Sequence, residues 1–496
     1  MATTERFEVS SPTLKPSLNT SDSAIVSENK LDSGLDTINE VREKEQLLEL
    51  DRELVSFTSR VTLSADDVMN HKGVLELVRD AARRVLDASA DIEMFGSAAS
   101  GLCERGSDID ATVIVDFAIL NKKFHGKTGT RFSPHETRLL CSEAVCAIAK
   151  YIEGSNGTGL AVEGLISGAK VPIVVLSSFG RQIIDLSINN VLPIYNTCLF
   201  KEFAKLDPRV VPLVLSVKRW AKMAQVSDAK MGNLSSYSWS ILCLYYLQYA
   251  RIIPSLQARA PPGVVIYSCK STGRTFDVGY LSGDCAAVEK TLIPPDESKC
   301  VASLLCGFFA FYDEIFEWGQ EVVSIRVGAR KKITDPEFAQ LSQGSRAMMD
   351  LPDDCQRIHI EDPFDLSRNL HCVMDVAGLV ALRRAFRDTN ARLSGAPVKV
   401  LASLAKTLMS YKNIVPAFSS VELNKRYNNN TSIGSPSIGF AMAPQAADIV
   451  RNYARQQEVL EKQLLILQRE RQLPGRGSYR QSTDGGLSWD TTVDLW

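Results

Sequence analysis

The chain has 496 residues, 45% of them apolar, and a formal net charge of −2, which is enough for two or three domains with their own cores. That near-neutral balance excludes a globally basic nucleic-acid binder, so any RNA contact has to come from local patches. Eleven cysteines lie scattered without a C-x-x-C pair, and Cys141 and Cys146, the nearest two, have no second Cys/His pair to complete a zinc site, so reduced thiols in a reducing compartment are expected.

Residues 1–42 are rich in Ser, Thr and Asn and read as a disordered tail. Glu5, Glu8 and Asp22 fit a secretory or mitochondrial leader poorly, and no apolar run reaches about 18 residues, so no membrane span is expected. A cytoplasmic location follows, with nucleus or mitochondrion as alternatives. Leu47, Leu48, Leu54 and Val55 predict a helix. Val74, Leu75, Val78, Val85 and Leu86 predict a second, opened by Asp66 and Asp67. Ile92 to Phe95 then reads as a short strand that delivers a Gly96-Ser97 turn, whose backbone N–H groups and hydroxyl can approach phosphates. Shortly after it, Asp108 and Asp110 head the apolar run Thr112-Val113-Ile114-Val115. Two apart on a strand, both carboxylates leave the same face and ask for a hard cation such as Mg²⁺.

The segment from Asn121 to Arg131 carries Lys122, Lys123, Lys127 and Arg131 and reads as a loop, either solvated or guiding RNA. A helix over Pro134–Tyr151 precedes two apolar runs, Val171–Leu176 and Ile183–Ile188, read as strands. Asp185 stands alone inside the second, and a buried acid is costly unless it is paired or bound to a cation. The order Gly-Ser, spacer, apolar-flanked D-x-D resembles the signature of the DNA polymerase β-type nucleotidyltransferases. That superfamily needs a third carboxylate on a neighbouring strand, and Asp185 is the candidate.

Further on, Lys218 and Lys222 lie four apart on one helical face, where both ammonium groups can meet one triphosphate. In Gly232-Asn233-Leu234-Ser235-Ser236-Tyr237-Ser238, Ser236 offers a phosphate contact and Tyr237 a ring on which a base can stack. At this point the chain resembles the noncanonical poly(A) polymerase and terminal RNA uridylyltransferase family. Leu304–Tyr312, Phe316-Glu317-Trp318 and Val323–Arg326 resemble its poly(A)-polymerase-associated (PAP-associated) region, and Ile360–Leu370 is similar to its base-recognition loop. These motifs together cover roughly residues 90 to 390. Beyond them, Asn428–Thr431 and Gly434-Ser435-Pro436 read as a loop. Ile449, Tyr453, Leu460, Leu464 and Leu467 form one stripe of a helix that either packs on the body or binds a partner protein as a coiled coil. Residues 474–496 read as a disordered tail.

The resemblance implies an α+β, two-domain nucleotidyltransferase. A mixed-sheet palm with N-terminal helices would span residues 43–195, and a mainly helical central, PAP-associated domain residues 196–440, with the base-recognition loop at 358–370. A C-terminal helix would occupy 441–473, and the active site would lie in the cleft between the two domains. The implied reaction is attack of an RNA 3′-hydroxyl on the α-phosphate of a nucleotide, releasing pyrophosphate. Asp108, Asp110 and Asp185 would hold two divalent ions, Mg²⁺ or Mn²⁺. Gly96, Ser97, Lys218, Lys222 and Ser236 would hold the triphosphate, Asn196 the ribose, and Tyr237 the base. In the resembling uridylyltransferases two acids and a cationic or imidazole donor read uracil, and the matching positions are Asp362, Asp365 and Arg368. Arginine can only donate, so it suits O4 of uracil and meets the N6 amine of adenine donor to donor. That favours UTP over ATP, although the family commonly has histidine at this position, and a plain Asp362–Arg368 ion pair is the alternative. A poly(A) polymerase and a catalytically inactive RNA-binding scaffold are the competing functions.

Overall fold

The computed structural model describes residues 45–395, apart from 46, 156, 179–181, 294–295, 297–298 and 345–356. The tails, the expected C-terminal helix and the end of the expected central domain lie outside the described residues.

Helix α1 (residues 47–61) turns Leu50, Leu54, Phe57 and Val61 inward, a stripe at helical spacing. Leu48 and Val55, two residues that announced this helix in the sequence, face solvent. Helix α2 (Ala65–Val85) starts on a capping box between Ser64 and Asp67, which satisfies orphan N–H groups at its first turn. Strand β1 (Asp91–Phe95) runs into a one-turn helix, α3 (Gly96–Ser100), where the sequence had suggested only a turn. Strand β2 (Ile109–Ile114) follows. The lysine-rich segment is not all loop: α4 (Phe117–His125) carries Lys122 and Lys123 in its last turn. Asp116 caps it, Phe117, Leu120 and Asn121 bury one face, and Gly126 at φ +66° ends it, so local helix signals outweigh the polar composition. Helix α5 (Pro134–Gly154) begins at its expected proline, behind a Ser133/Glu136 capping box.

Strands β3 (Leu160–Ile166), β4 (Ile173–Ser178) and β5 (Gln182–Ile188) complete a five-stranded mixed sheet in the order β1-β2-β5-β4-β3. Strands β2 and β5 are parallel and the other neighbours antiparallel. The sequence had predicted four of these strands. Edge strand β3 escaped because its apolar pattern breaks down halfway, leaving Leu165 and Ile166 exposed. One face of the sheet packs on α2 and α5 through Ile109, Ala111, Val113, Ile184 and Leu186. The alternate residues, Asp110 and Asp185 among them, leave on the other face.

Helix α6 (Leu192–Leu206) carries the chain out of the palm, so the expected boundary between residues 195 and 196 falls inside a continuous helix. Helices α7 (Val210–Met223) and α8 (Ser236–Tyr249) follow, then a hairpin of β6 (Ile266–Ser268) and β7 (Thr275–Asp277), α9 (Gly283–Thr291) and α10 (Val301–Ala310). The short strand β8 (Val322–Val323), α11 (Ala339–Gly344), β9 (His359–Ile360) and α12 (Val376–Gly395) complete the described chain. Trp220, Trp239, Phe308, Phe309, Tyr312 and Phe386 form one aromatic core here. Leu50, Leu54, Phe57 and Val61 belong to this same cluster, and Ala302 N–H donates to Asp51 Oδ1 at 3.1 Å. Helix α1 therefore shares the core of the helical domain, although its position in sequence assigned it to the palm, which it meets at its end where Arg105 N–H donates to Val61 O at 2.7 Å.

Candidate active site

In the parallel register of β2 and β5, Asp110 stands directly opposite Asp185. Neighbours paired in this way project from the same face, so two of the three sequence-predicted carboxylates stand side by side at the palm's open face. Asp108 lies exposed just before β2. Burial, followed by the charges of Asp185 and Asp108, pushes the Asp110 carboxyl up to about 7. Burial raises Asp185 too, with Asp108 adding to it and Lys230 opposing. Asp108, though exposed, is likewise raised by partial desolvation of its carboxyl, and Lys222 and Lys230 pull it back.

Gly96 adopts φ +77°, and a Cβ built there would sit 2.1 Å from Asp110 Oδ2. Only glycine lets the turn close over that carboxylate. The Gly96 N–H is not offered to solvent: it donates to Thr197 Oγ1 at 2.8 Å. Thr197 Oγ1 in turn donates to Pro193 O at 2.7 Å, so α6 grips the turn from the side of the helical domain.

A cavity of about 330 Å³ opens between the two domains. Eight sequence-predicted residues line it: Gly96, Ser97, Asp110, Asn196, Lys218, Ser236, Tyr237 and Arg368. Thr197, Phe200, Ser235 and Ser240 line it as well and were missed. Helical spacing from Asn196 and Ser236 was the available signal for three of them, since Thr197 adjoins Asn196, Phe200 follows it by one turn, and Ser240 follows Ser236 by one turn. Phe200 stacks on Tyr237 with centroids 5.3 Å apart and planes 15° apart. Asn196 is buried, and its Oδ1 has no hydrogen-bond partner. Lys218 is buried rather than solvated. Its Nζ donates to Leu102 O at 2.8 Å, and burial lowers its pKa to about 8. Lys222 is exposed.

Of the three predicted base-loop residues, only Arg368 lines the cavity. Asp362 is 1% exposed. Its Oδ1 accepts from the N–H groups of Phe364 and Asp365 at 3.1 and 3.0 Å, and its Oδ2 accepts from the Tyr237 hydroxyl at 3.4 Å. Asp365 is engaged by Arg274 through two bonds of 2.9 and 2.6 Å. The Asp362–Arg368 contact is long, 3.9 Å, and the Arg368 side chain is 54% exposed, so a closed ion pair between them is not what the loop is built on.

Hard oxygen donors whose repulsion opposes ionisation suit a divalent cation, so the three acids fit such an ion in kind. Among the described residues, no three acid, imidazole or thiol groups already close on one point. No disulfide joins the described cysteines, and no described helix is long and apolar enough to cross a membrane.

Two family models match the chain. Residues 50–205 match "Poly(A) RNA polymerase, mitochondrial-like, central palm domain", and residues 300–368 match "Cid1 family poly A polymerase". The chain is 29% identical over 339 residues to the terminal uridylyltransferase cid1 of Schizosaccharomyces pombe, covering 66% of this chain and 75% of that protein. It is 30% identical over 296 residues to the human poly(A) RNA polymerase GLD2, covering 58% of this chain and 54% of that protein, so it spans about half the length of the latter. A crystal structure of the Cid1 poly(U) polymerase with MgGTP bound aligns with a TM-score of 0.55 at 25% identity, over 73% of this chain and 98% of that one.

Proposed function

Because the chain belongs to the Cid1 family of noncanonical poly(A) polymerases and terminal uridylyltransferases, which are nucleotidyltransferases, we propose that it adds UMP from UTP to RNA 3′ ends without a template. The observation that carries this reading is the register that sets Asp185 beside Asp110, with Asp110 lining a cavity that reaches from the Gly96 turn to Tyr237 and Arg368. Asp108, Asp110 and Asp185 would hold Mg²⁺ or Mn²⁺, two ions in all. When bound, such ions lower the pKa of the attacking hydroxyl and neutralise charge on the α-phosphate and on the pyrophosphate leaving group. The 3′-oxygen forms a bond to the α-phosphorus as the bond to pyrophosphate breaks.

The chain's own groups would orient the substrate. Ser97 and Ser236 face the cavity with hydroxyl donors. Lys218 meets the triphosphate from a buried position, where a cation is worth more than it is in water. Lys222 reaches from the exposed rim. The partnerless Asn196 Oδ1 takes a ribose hydroxyl, which favours ribonucleotides because leaving it unmet is costly. Tyr237, backed on one face by Phe200, stacks on the base. Arg368 donates to O4 of uracil. Asp362 and Asp365, whose oxygens are taken up within the loop and by Arg274, shape the loop instead of touching the base.

A poly(A) polymerase is the second reading. The similarity to GLD2 and the loosely held Arg368, free to turn toward solvent, favour it. One assay separates the two: purified protein, a labelled RNA primer, Mg²⁺ or Mn²⁺, and each ribonucleotide alone. UTP should be used best. A donor facing the N6 amine costs about 1–3 kcal/mol, or roughly 5- to 150-fold in selectivity, so Arg368→Ala should narrow the UTP-to-ATP ratio within that range. An unchanged ratio would remove Arg368 from base reading.

A further inference from the structure

We propose that Arg274, on a hairpin outside the cavity, is a positioning residue for nucleotide selection, because it holds the base-facing loop in the conformation that presents Arg368. The proposal rests on the reading of Arg368 as the base contact. The loop closes on itself from within: Asp362 N–H donates to Arg368 O at 3.2 Å, and Arg368 N–H donates to Asp365 O at 2.8 Å. Asp362 Oδ1 gathers the next two N–H groups beyond its proline. These bonds join residues of the loop to one another, and two from outside anchor only its start: the Tyr237 hydroxyl donates to Asp362 Oδ2 at 3.4 Å and Gln257 Nε2 to Pro363 O at 2.8 Å, so neither reaches the Asp365 side that meets the Arg368 amide.

Arg274 supplies the hold on that second side. Its two terminal nitrogens grip the two oxygens of Asp365, and one of them also donates to Ser367 Oγ at 3.0 Å. A bidentate guanidinium–carboxylate pair fixes direction as well as distance. Asp365 is well covered, with 14% of its side chain exposed. The guanidinium also lies over the Phe276 ring, 4.9 Å from its centroid, which limits its own rotamers.

The hairpin bearing Arg274 is tied to the other side of the cleft. Thr137 Oγ1 on α5 approaches Ser271 O at the hairpin tip, 3.2 Å away. Tyr267 on β6 packs against Tyr195 on α6 with centroids 5.3 Å apart, one residue before Asn196. A connected path therefore runs from the palm helix through the hairpin to Asp365, and through the Asp365 carbonyl to the Arg368 amide.

The test is a two-residue cycle. In single-nucleotide extension, Arg274→Ala is expected to raise KM for the preferred nucleotide by about fivefold, as fits one charge-assisted pair that is partly exposed. It should also narrow the UTP-to-ATP ratio and leave kcat within about twofold of the parent. Asp365→Ala should match it, and the double variant should be no worse than either single variant. Arg274→Lys, which keeps the charge and loses the fork, should recover part of the KM. Hydrogen exchange should quicken at the amides of Phe364, Asp365 and Arg368 in Arg274→Ala while α8 is unchanged. The proposal is overturned if KM and loop exchange stay at parental values, if kcat falls with KM unmoved, or if the two single effects add. Should the parent prefer ATP, the uridylyl reading fails while the cycle, run with ATP, still decides the role of Arg274. Should it transfer nothing, loop exchange and UTP affinity decide it without turnover.

Discussion

In the proposed role, the acids of β2 and β5 set stability against function. Asp110 titrates near 7 in the fold against an ordinary value of 3.8. Between about pH 4 and 7 the folded chain therefore keeps a proton that the unfolded chain has lost, and the stability of the metal-free protein should fall as pH rises through that window. Melting curves taken across it should show the decline for the parent and a shallower one in Asp110→Asn, since Asp185 and Asp108 are raised as well. Titrated Mg²⁺ should raise the melting temperature more at pH 8 than at pH 5. Asp185→Ala should abolish transfer and leave the melt intact, because it removes one like charge without opening the core; an unfolded variant would make Asp185 a structural acid. These two acids were legible because charged residues inside apolar runs need a reason. Arg274 was not: its partner lies 91 positions away, and an arginine in a hairpin turn looks like any solvated cation. Lys218 was legible as a position but its burial was not, since helical spacing says which residues share a face and not what covers that face.

At the scale of elements, α6 does two jobs. Its Asn196 lines the cavity, and the neighbouring Thr197 accepts from the Gly96 N–H and so sets the height of the turn over Asp110. Thr197→Val preserves shape and removes that acceptor, which should cost about 1–3 kcal/mol for a backbone donor left unpaired. We expect a lowered melting temperature together with a higher KM for nucleotide, measured by differential scanning fluorimetry and extension kinetics; an unchanged KM would leave Thr197 a purely structural contact. The strands were readable wherever an apolar run was sustained, as in β4 and β5. The reading failed at β3, where half the strand faces solvent, and at α4, where lysines hid a helix whose cap and buried stripe were both present in the sequence.

For the molecule as a whole, the order of the chain and the grouping of its cores disagree. Helix α1 precedes the palm in sequence yet shares the aromatic core of the second domain. Arg219 lies 4.7 Å over the Phe57 ring, and Arg219 also bonds Glu104 at 2.6 Å. Phe57→Ala should therefore destabilise the helical domain, by about 3–5 kcal/mol for a buried aromatic truncated to alanine. Exchange of α8 amides should report the damage sooner than that of β2 amides; the opposite order would return α1 to the palm. Since α1 leaves the ribosome well before α7, α8 and α10, its greasy side has nowhere to dock until most of the polypeptide has been made. A nascent chain halted after β5 would hold a sheet able to form but a leading helix still unsheltered, and it is that early segment that a chaperone would be expected to cradle.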